Sequence, residues 1–197
     1  MNAVQASVGP TAKDTTLTQS AGPDGHWIEL LHDGTHVLIR PIHKRDLELE
    51  RHFIEALSPT SRRFRFLDTM SSPDEALLKR LTAIDPATDV AYVALIAVGA
   101  EKREIGVARF SARADGKDCE FAVTVSDEWQ QRGLGTLLMQ HLITAARARG
   151  IESMYSSDSS DNDSMHKFAE HLKFQHQRDP EDDGQVLYRV DLQKARE

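Results

Sequence analysis

Seven residues, Gln130-Gln-Arg-Gly-Leu-Gly-Thr136, constrain this chain more than any other segment. Before them, Glu120 to Val125 alternates Phe121, Val123 and Val125 with Glu120, Ala122 and Thr124, the period of a strand. After them, about Leu134 to Arg149, Leu134, Leu137, Leu138, Leu142, Ile143 and Ala145 recur with helical spacing, and Gly150 supplies a left-handed stop. The order is therefore strand, glycine turn, helix. A helix start leaves four backbone N–H groups unpaired and carries partial positive charge. Glycines there let a bulky anion approach the main chain, which suits a pyrophosphate. The plain alternative is a tight strand-to-helix connection whose glycines serve packing alone. Two familiar phosphate motifs are excluded. No Gly-x-x-x-x-Gly-Lys-Ser/Thr run exists, and Leu138 stands where a dinucleotide fingerprint needs its third glycine.

The rest of the pattern places this turn late in one α+β domain, a mixed sheet flanked by helices. Residues 1 to 25 are rich in Ser, Thr, Gly, Pro and Ala and read as a mobile tail, leaving 26–197 for the domain. Val37–Ile42 reads as a strand that Pro41 ends or pushes to an edge. Asp46–Leu57 carries a helical stripe, and Ser58-Pro59 reads as cap and first turn of a second helix. A third helix spans about Pro73 to Thr82, with Ser72 as its cap. Ala91–Val98 is continuously apolar, as in a strand buried on both faces. Glu104–Ser111 follows as a strand, and Asp115-Gly116 marks a hairpin. Glu152–Tyr155, Phe174–Gln177 and Gln185–Leu192 read as further strands, with a helix over Ser164–Leu172. The acidic Ser156–Ser164 segment reads as the connection before that helix and as a candidate lining of a substrate mouth.

Composition narrows the function. The 197 residues carry a net charge of −7, which disfavours non-specific nucleic-acid binding and is compatible with a cationic acceptor. No apolar run approaches the ~20 residues that span a bilayer, and the N-terminus lacks the pattern of a signal peptide. A single cysteine, Cys119, allows no intrachain disulfide and fits a reducing compartment. The expectation is a cytoplasmic protein.

Gln130-x-x-Gly133-x-Gly135 resembles the Gln/Arg-x-x-Gly-x-Gly/Ala signature of the GNAT acyltransferases. The resemblance covers about Val37 to Leu192 and is nearest to the catalytic domain of Pat-type protein lysine acetyltransferases. Leu38-Ile-Arg-Pro-Ile42, Leu57-Ser-Pro-Thr-Ser-Arg-Arg-Phe-Arg-Phe66 and Glu120-Phe-Ala-Val-Thr-Val125 carry it. It implies a GNAT fold and transfer of an acetyl group from acetyl-CoA to a primary amine, a protein lysine above all, by direct attack in a ternary complex without a metal. It also implies that the amides of Gln131, Arg132, Gly133, Leu134, Gly135 and Thr136 hold the CoA pyrophosphate, with Gln130 opening the motif. The strand through Val123, Thr124 and Val125 would part from its neighbour and bond the pantetheine arm. Asn162 matches an asparagine that contacts the cofactor, and it is also a plain helix cap. Glu120 matches the family's general base, since an ammonium must lose a proton before nitrogen can attack a thioester. On its own, Glu120 reads as an exposed strand-edge carboxylate.

Two positions depart from the family pattern. Ala169 stands where many GNAT enzymes have a tyrosine that protonates the departing thiolate, and Lys173-Phe174 replaces a common Gly-Phe. The general acid is thus unassigned, with Tyr155 and His166 as weak substitutes. Small-molecule amines and a non-catalytic acyl-CoA-binding module stay open as alternatives, and the oligomeric state is not specified. Histidines 166, 171 and 176 are five apart, which does not stack two metal ligands on one helical face. Cys119 reads as strand packing. Arg62, Arg63 and Arg65 fall where this family builds its acceptor wall, although a solvated helix face explains them equally.

Overall fold

The apolar run expected to be buried over Ala91–Val98 is covered on both faces only as far as Ile96, and Ala97 and Val98 at its end are exposed. In the computed structural model, which describes residues 25–66 and 72–193, strand β3 (Asp89–Val98) sends Ala91, Val93 and Leu95 to one core. Val90, Ala94 and Ile96 go to the other. The first core is closed by α1 (Leu47–Ala56) and α3 (Glu75–Thr82), through Phe53, Ile54, Leu78 and Leu81. The second is closed by α4 (Leu134–Ala148), whose Leu134, Leu138, Met139 and Leu142 are at most 1% exposed. Each such side chain contributes about 1.5–3 kcal/mol by leaving water, so the helical stripe after the glycine turn anchors that turn to the sheet. The tail expected over residues 1 to 25 lies, but for Gly25, outside the described residues.

Eight strands make the sheet. With β3 they are β1 (Trp27–Leu30), β2 (His36–Pro41), β4 (Glu101–Ala112), β5 (Asp118–Val125), β6 (Ser153–Ser159), β7 (Gln175–Arg178) and β8 (Gln185–Asp191). Their spatial order is β1-β2-β3-β4-β5-β6-β8-β7. Every pairing is antiparallel except β5 with β6. This is the mixed sheet flanked by helices that the sequence implies. Two further helices, α2 (Pro59–Phe66) and α5 (Asp163–His171), stand beside the β5–β6 pair.

Several boundaries differ from the sequence reading. Pro41 ends β2, as expected, but the strand is not at a sheet edge, because β1, unseen in the sequence, pairs outside its His36–Ile39 stretch. The cap of α3 is Asp74, whose carboxylate accepts from the Leu77 N–H at 2.7 Å. Ser72 instead donates its hydroxyl to Glu55 at 3.0 Å. An ionised carboxylate is the stronger acceptor for a helix-start amide. The expected Ser58 cap is present, its Oγ accepting from the Ser61 N–H at 3.1 Å. Finally, β6 does not stop at Tyr155. It runs to Ser159, paired along its whole length with β8, so most of the polar Ser156–Ser164 segment is strand and helix rather than connection.

Candidate active site

β5 and β6 pair only at Asp118–Ser153, Cys119–Met154 and Glu120–Tyr155. Beyond that rung β5 follows β4 as far as Val125, and β6 follows β8 as far as Ser159. With no further rung between them the two parallel strands part, and a cavity of about 900 Å³ opens there. The Ser126 N–H bonds the Ile105 carbonyl on β4 at 3.0 Å. Strand alternation then turns the backbone groups of Val125 and Val123 to the open side. The Val125 carbonyl is not free there, because it accepts from Gln130 Nε2 at 3.2 Å.

The glycine turn closes the far end of this gap. Gln131 and Gly133 both have left-handed φ, 59° and 89°, with Arg132 of negative φ between them. Such alternation gathers successive N–H groups into a concavity suited to an anion. Gly133 is needed twice over, for its φ and because a Cβ would lie 2.8 Å from His32 Nε2. Gly135 sits under α5, where a Cβ would meet the Phe168 ring at 3.3 Å. No side chain caps the start of α4, so its first amides remain available to a ligand.

The cavity brings together most of the residues singled out in the sequence. Glu120, Val123, Thr124 and Val125 form its β5 wall, Gln130, Gln131, Gly133, Gly135 and Thr136 its turn, and Asn162 its α5 side. Two others do not line it. Leu134 is buried in the core. The Arg132 side chain turns back to Asp33 at 2.8 Å and over the Trp129 ring at 4.7 Å, so its charge is shared with a carboxylate. Asn162 does cap α5, accepting from the Met165 N–H at 3.1 Å, while its amide donates to both oxygens of Asp158 at 3.1 Å.

Glu120 shares a face of β5 with Ala122 and Thr124, and α2 lies over that face. Ser58 and Ser61 hydroxyls each reach Asp127 at 2.7 Å, and the Ser58 N–H donates to it at 2.9 Å. Burial pushes the Asp127 carboxyl up, but these hydrogen bonds outweigh it and hold the group below the usual carboxylate range. At the mouth, Arg63 bridges α2 to Asp161 at 2.8 Å.

Some wall residues escaped the sequence reading. His32 comes from the β1–β2 loop and Asp158 from the far half of β6. Burial raises the Asp158 carboxyl above its ordinary range, against the opposing hydrogen bonds of Asn162 and the Ser159 N–H. Neither residue belongs to a local motif, although Asp158 falls in the Ser156–Ser164 segment that the sequence offered as a lining of the substrate mouth. The substitutes weighed for the absent tyrosine lie outside the cavity lining. Tyr155 accepts from Arg113 Nε at 2.9 Å, His166 Nδ1 is 2.7 Å from the Tyr188 hydroxyl, and Ala169 is fully buried. Cys119 is buried too, and desolvation, with Asp118 adding repulsion, pushes its thiol up to about 12. Among the described residues no group of three His, Cys, Asp or Glu side chains is gathered as a metal site would need. Among them, too, no helix is long and apolar enough to cross a membrane.

A mixed sheet that opens one parallel pair over a glycine turn defines a class of acyl-transfer folds, and similarity to known proteins agrees. The chain matches the model of the acetyltransferase (GNAT) family over residues 54–174. It is 46% identical to acetyltransferase PA5475 of Pseudomonas aeruginosa over 167 residues, 85% of this chain and 90% of that protein. It is 32% identical to acetyltransferase Pat of Mycolicibacterium smegmatis over 130 residues, which are 66% of this chain but only 38% of that protein. Among solved structures, the GNAT domain of S. lividans PAT superposes with a TM-score of 0.76 at 26% identity, covering 84% of this chain and 96% of that one. The cAMP-binding acyltransferase from Mycobacterium smegmatis gives 0.59 at 26% identity, with 48% of its length covered. The chain belongs to the GNAT acetyltransferase family, enzymes that take acetyl-CoA as co-substrate and an amine as acceptor.

Proposed function

We propose that this protein acetylates a lysine side chain of a protein acceptor, with Glu120 as general base. The observation that carries the reading is the position of Glu120. It stands on the last rung of the parted strands, on the cavity wall, with the glycine turn at the other end of the same strand. The similarity to the Pat GNAT domain supports a protein lysine as acceptor.

In this reading the CoA pyrophosphate lies against the first-turn amides from Gln131 to Thr136, and the pantetheine arm runs along the open edge of β5 at Val123 and Val125. Asn162 stands on the opposite wall. The thioester then reaches toward Glu120. The carboxylate takes one proton from the lysine ammonium, directly or through water, and frees the nitrogen lone pair. Nitrogen attacks the thioester carbonyl carbon, the tetrahedral intermediate collapses, and the C–S bond breaks to leave CoA thiolate. The amide nitrogen sheds its second proton. Water is sufficient to protonate the thiolate, so Ala169 in place of a tyrosine does not block turnover. The protein is expected to sit in the cytoplasm, where acetyl-CoA and protein lysines meet.

The test is mass spectrometry of desalted cell protein incubated with acetyl-CoA and enzyme. New acetyl-lysines with wild type and none with Glu120→Gln support the proposal. Acetyl-lysine levels equal to those of an enzyme-free control refute it.

A further inference from the structure

The α2 wall of the cavity holds a cation that no described residue answers. Three arginines lie on this helix. Arg62 donates to the Leu57 carbonyl at 3.0 Å, and Arg63 is paired with Asp161. Arg65 lines the cavity and lies over the Phe66 ring at 5.0 Å, but it makes no hydrogen bond or ion pair with a described residue. Burial, reinforced by the Arg109 charge and opposed by Glu50, pulls its guanidinium down to about 10. It therefore stays charged at neutral pH.

The charges behind this wall are already committed. Glu50, 1% exposed, approaches Arg109 at 3.5 Å. Glu104 is buried beside Glu50, and desolvation and that neighbour hold its carboxyl well above the ordinary range. Among the described residues Glu50 has Arg109 as its ion-pair partner, and Arg65 has none. Arg65 is partly buried, a cation held without an ion-pair partner is costly to bury, and an anion entering from the cavity offsets that cost.

Position tells which ligand would bring the anion. Helix α2 is tied at Ser58 and Ser61 to Asp127, beyond the end of β5 near the glycine turn. Arg65 is one helical turn further along, about 6 Å. Arg109, whose charge acts on Arg65, is the register partner of Ala122, and Ala122 shares with Arg65 the cavity lining and with Glu120 a face of β5. The leftover charge is thus on the proton-accepting side of the cavity, away from the amides suited to pyrophosphate.

We propose that Arg65 is an acceptor-side carboxylate subsite: the amine deprotonated by Glu120 carries a carboxylate close to its nitrogen, and Arg65 binds it. This rests on the reading of Glu120 as base and narrows the acceptor class. A lysine beside an acidic residue satisfies it, and so does a free amino acid. The experiment separates the two sources. It uses two acceptor pairs that differ by one carboxylate, a lysine peptide with Asp or Asn next to the lysine, and methionine or its amide.

The readout is kcat/KM from CoA-thiol release with wild type, Arg65→Gln and Arg65→Lys. Wild type is expected to favour the carboxylated member of a reacting pair by about tenfold to a hundredfold, the range of a charged hydrogen-bonded contact. Arg65→Gln brings that ratio close to one, with the loss on the carboxylated member, and Arg65→Lys keeps part of it. A wild-type ratio near one, or a ratio untouched in Arg65→Gln, overturns the inference. So does a rise in the KM for acetyl-CoA that accounts for the whole defect. Lysine peptides acetylated without preference, with no Arg65-dependent preference in the methionine pair either, sink the inference alone. An Arg65-dependent preference with the methionine pair, while neither lysine peptide reacts, sinks the protein-lysine reading alone.

Discussion

Glu120 and Tyr155 form the last rung between β5 and β6, and one residue beyond them the two strands part. Tyr155 is held away from the gap by Arg113, which donates to its hydroxyl at 2.9 Å and lies over its ring at 4.9 Å. Glu120 remains exposed on the cavity wall. The same rung therefore ends the strand pairing and presents the carboxylate. Glu120→Gln preserves size and polarity while removing the base. It is expected to lower kcat/KM about 10²–10⁴-fold, with the Kd for acetyl-CoA, measured by calorimetry, kept within about twofold of wild type because the cofactor contacts lie elsewhere. A parallel loss of acetyl-CoA binding would place Glu120 in cofactor binding instead.

Gly133 is the residue of the turn least able to change. An alanine would be held at φ 89° with its Cβ against His32. Left-handed strain of about 1–2 kcal/mol is expected to lower Tm by about 2–8 °C. Moving the turn should also weaken acetyl-CoA binding. Thermal melts with and without acetyl-CoA check both effects. A variant with wild-type Tm and ligand-induced shift contradicts this account of the turn.

Cys119 is buried, and its thiol is pushed up to about 12. A thiol without thiolate character is a poor nucleophile. At pH 8 the native protein is expected to leave Cys119 unmodified by Ellman's reagent, and unfolding in guanidinium should release one equivalent. Fast reaction in the folded state, with loss of turnover, would reopen a role for this cysteine.

Glu104 gives a pH signature with a definite sign. Burial first, and Glu50 second, raise its carboxyl well above 4.5 in the folded protein. Between 4.5 and that raised value, the folded state holds a proton that the unfolded chain has released. This group's contribution to stability therefore falls as pH rises through that window. Glu104→Gln removes the penalty. The variant should be more stable than wild type at neutral pH, with the difference shrinking toward pH 4.5 in urea titrations. A variant less stable at neutral pH, or a difference that does not change with pH, contradicts it.

Much of this molecule was legible in its sequence, and the exceptions share a cause. The apolar run at Ala91–Val98 and the stripe from Leu134 declared themselves because strand and helix periods are written in their side chains. The glycine turn did so because left-handed φ and close approach exclude other residues. Strand β1 was missed, since four residues with half their side chains exposed give too short a pattern. The end of β6 was missed for a different reason. Ser156, Ser157 and Asp158 border the gap and pair on one side only, so no apolar alternation is required of them. His32 and Asp158 reach the cavity from a loop and a strand end brought close by folding alone. Arg65 was visible as one of three arginines, but only the partners of Arg62 and Arg63 set it apart.

The most direct test of the central claim is CoA-thiol release from acetyl-CoA, with the acceptor supplied either as desalted cell protein or as the small-molecule filtrate. Wild type and Glu120→Gln are run side by side. The account predicts release with the protein fraction that falls to background in the variant. Release with the filtrate alone, or release with protein that Glu120→Gln leaves untouched, would contradict it.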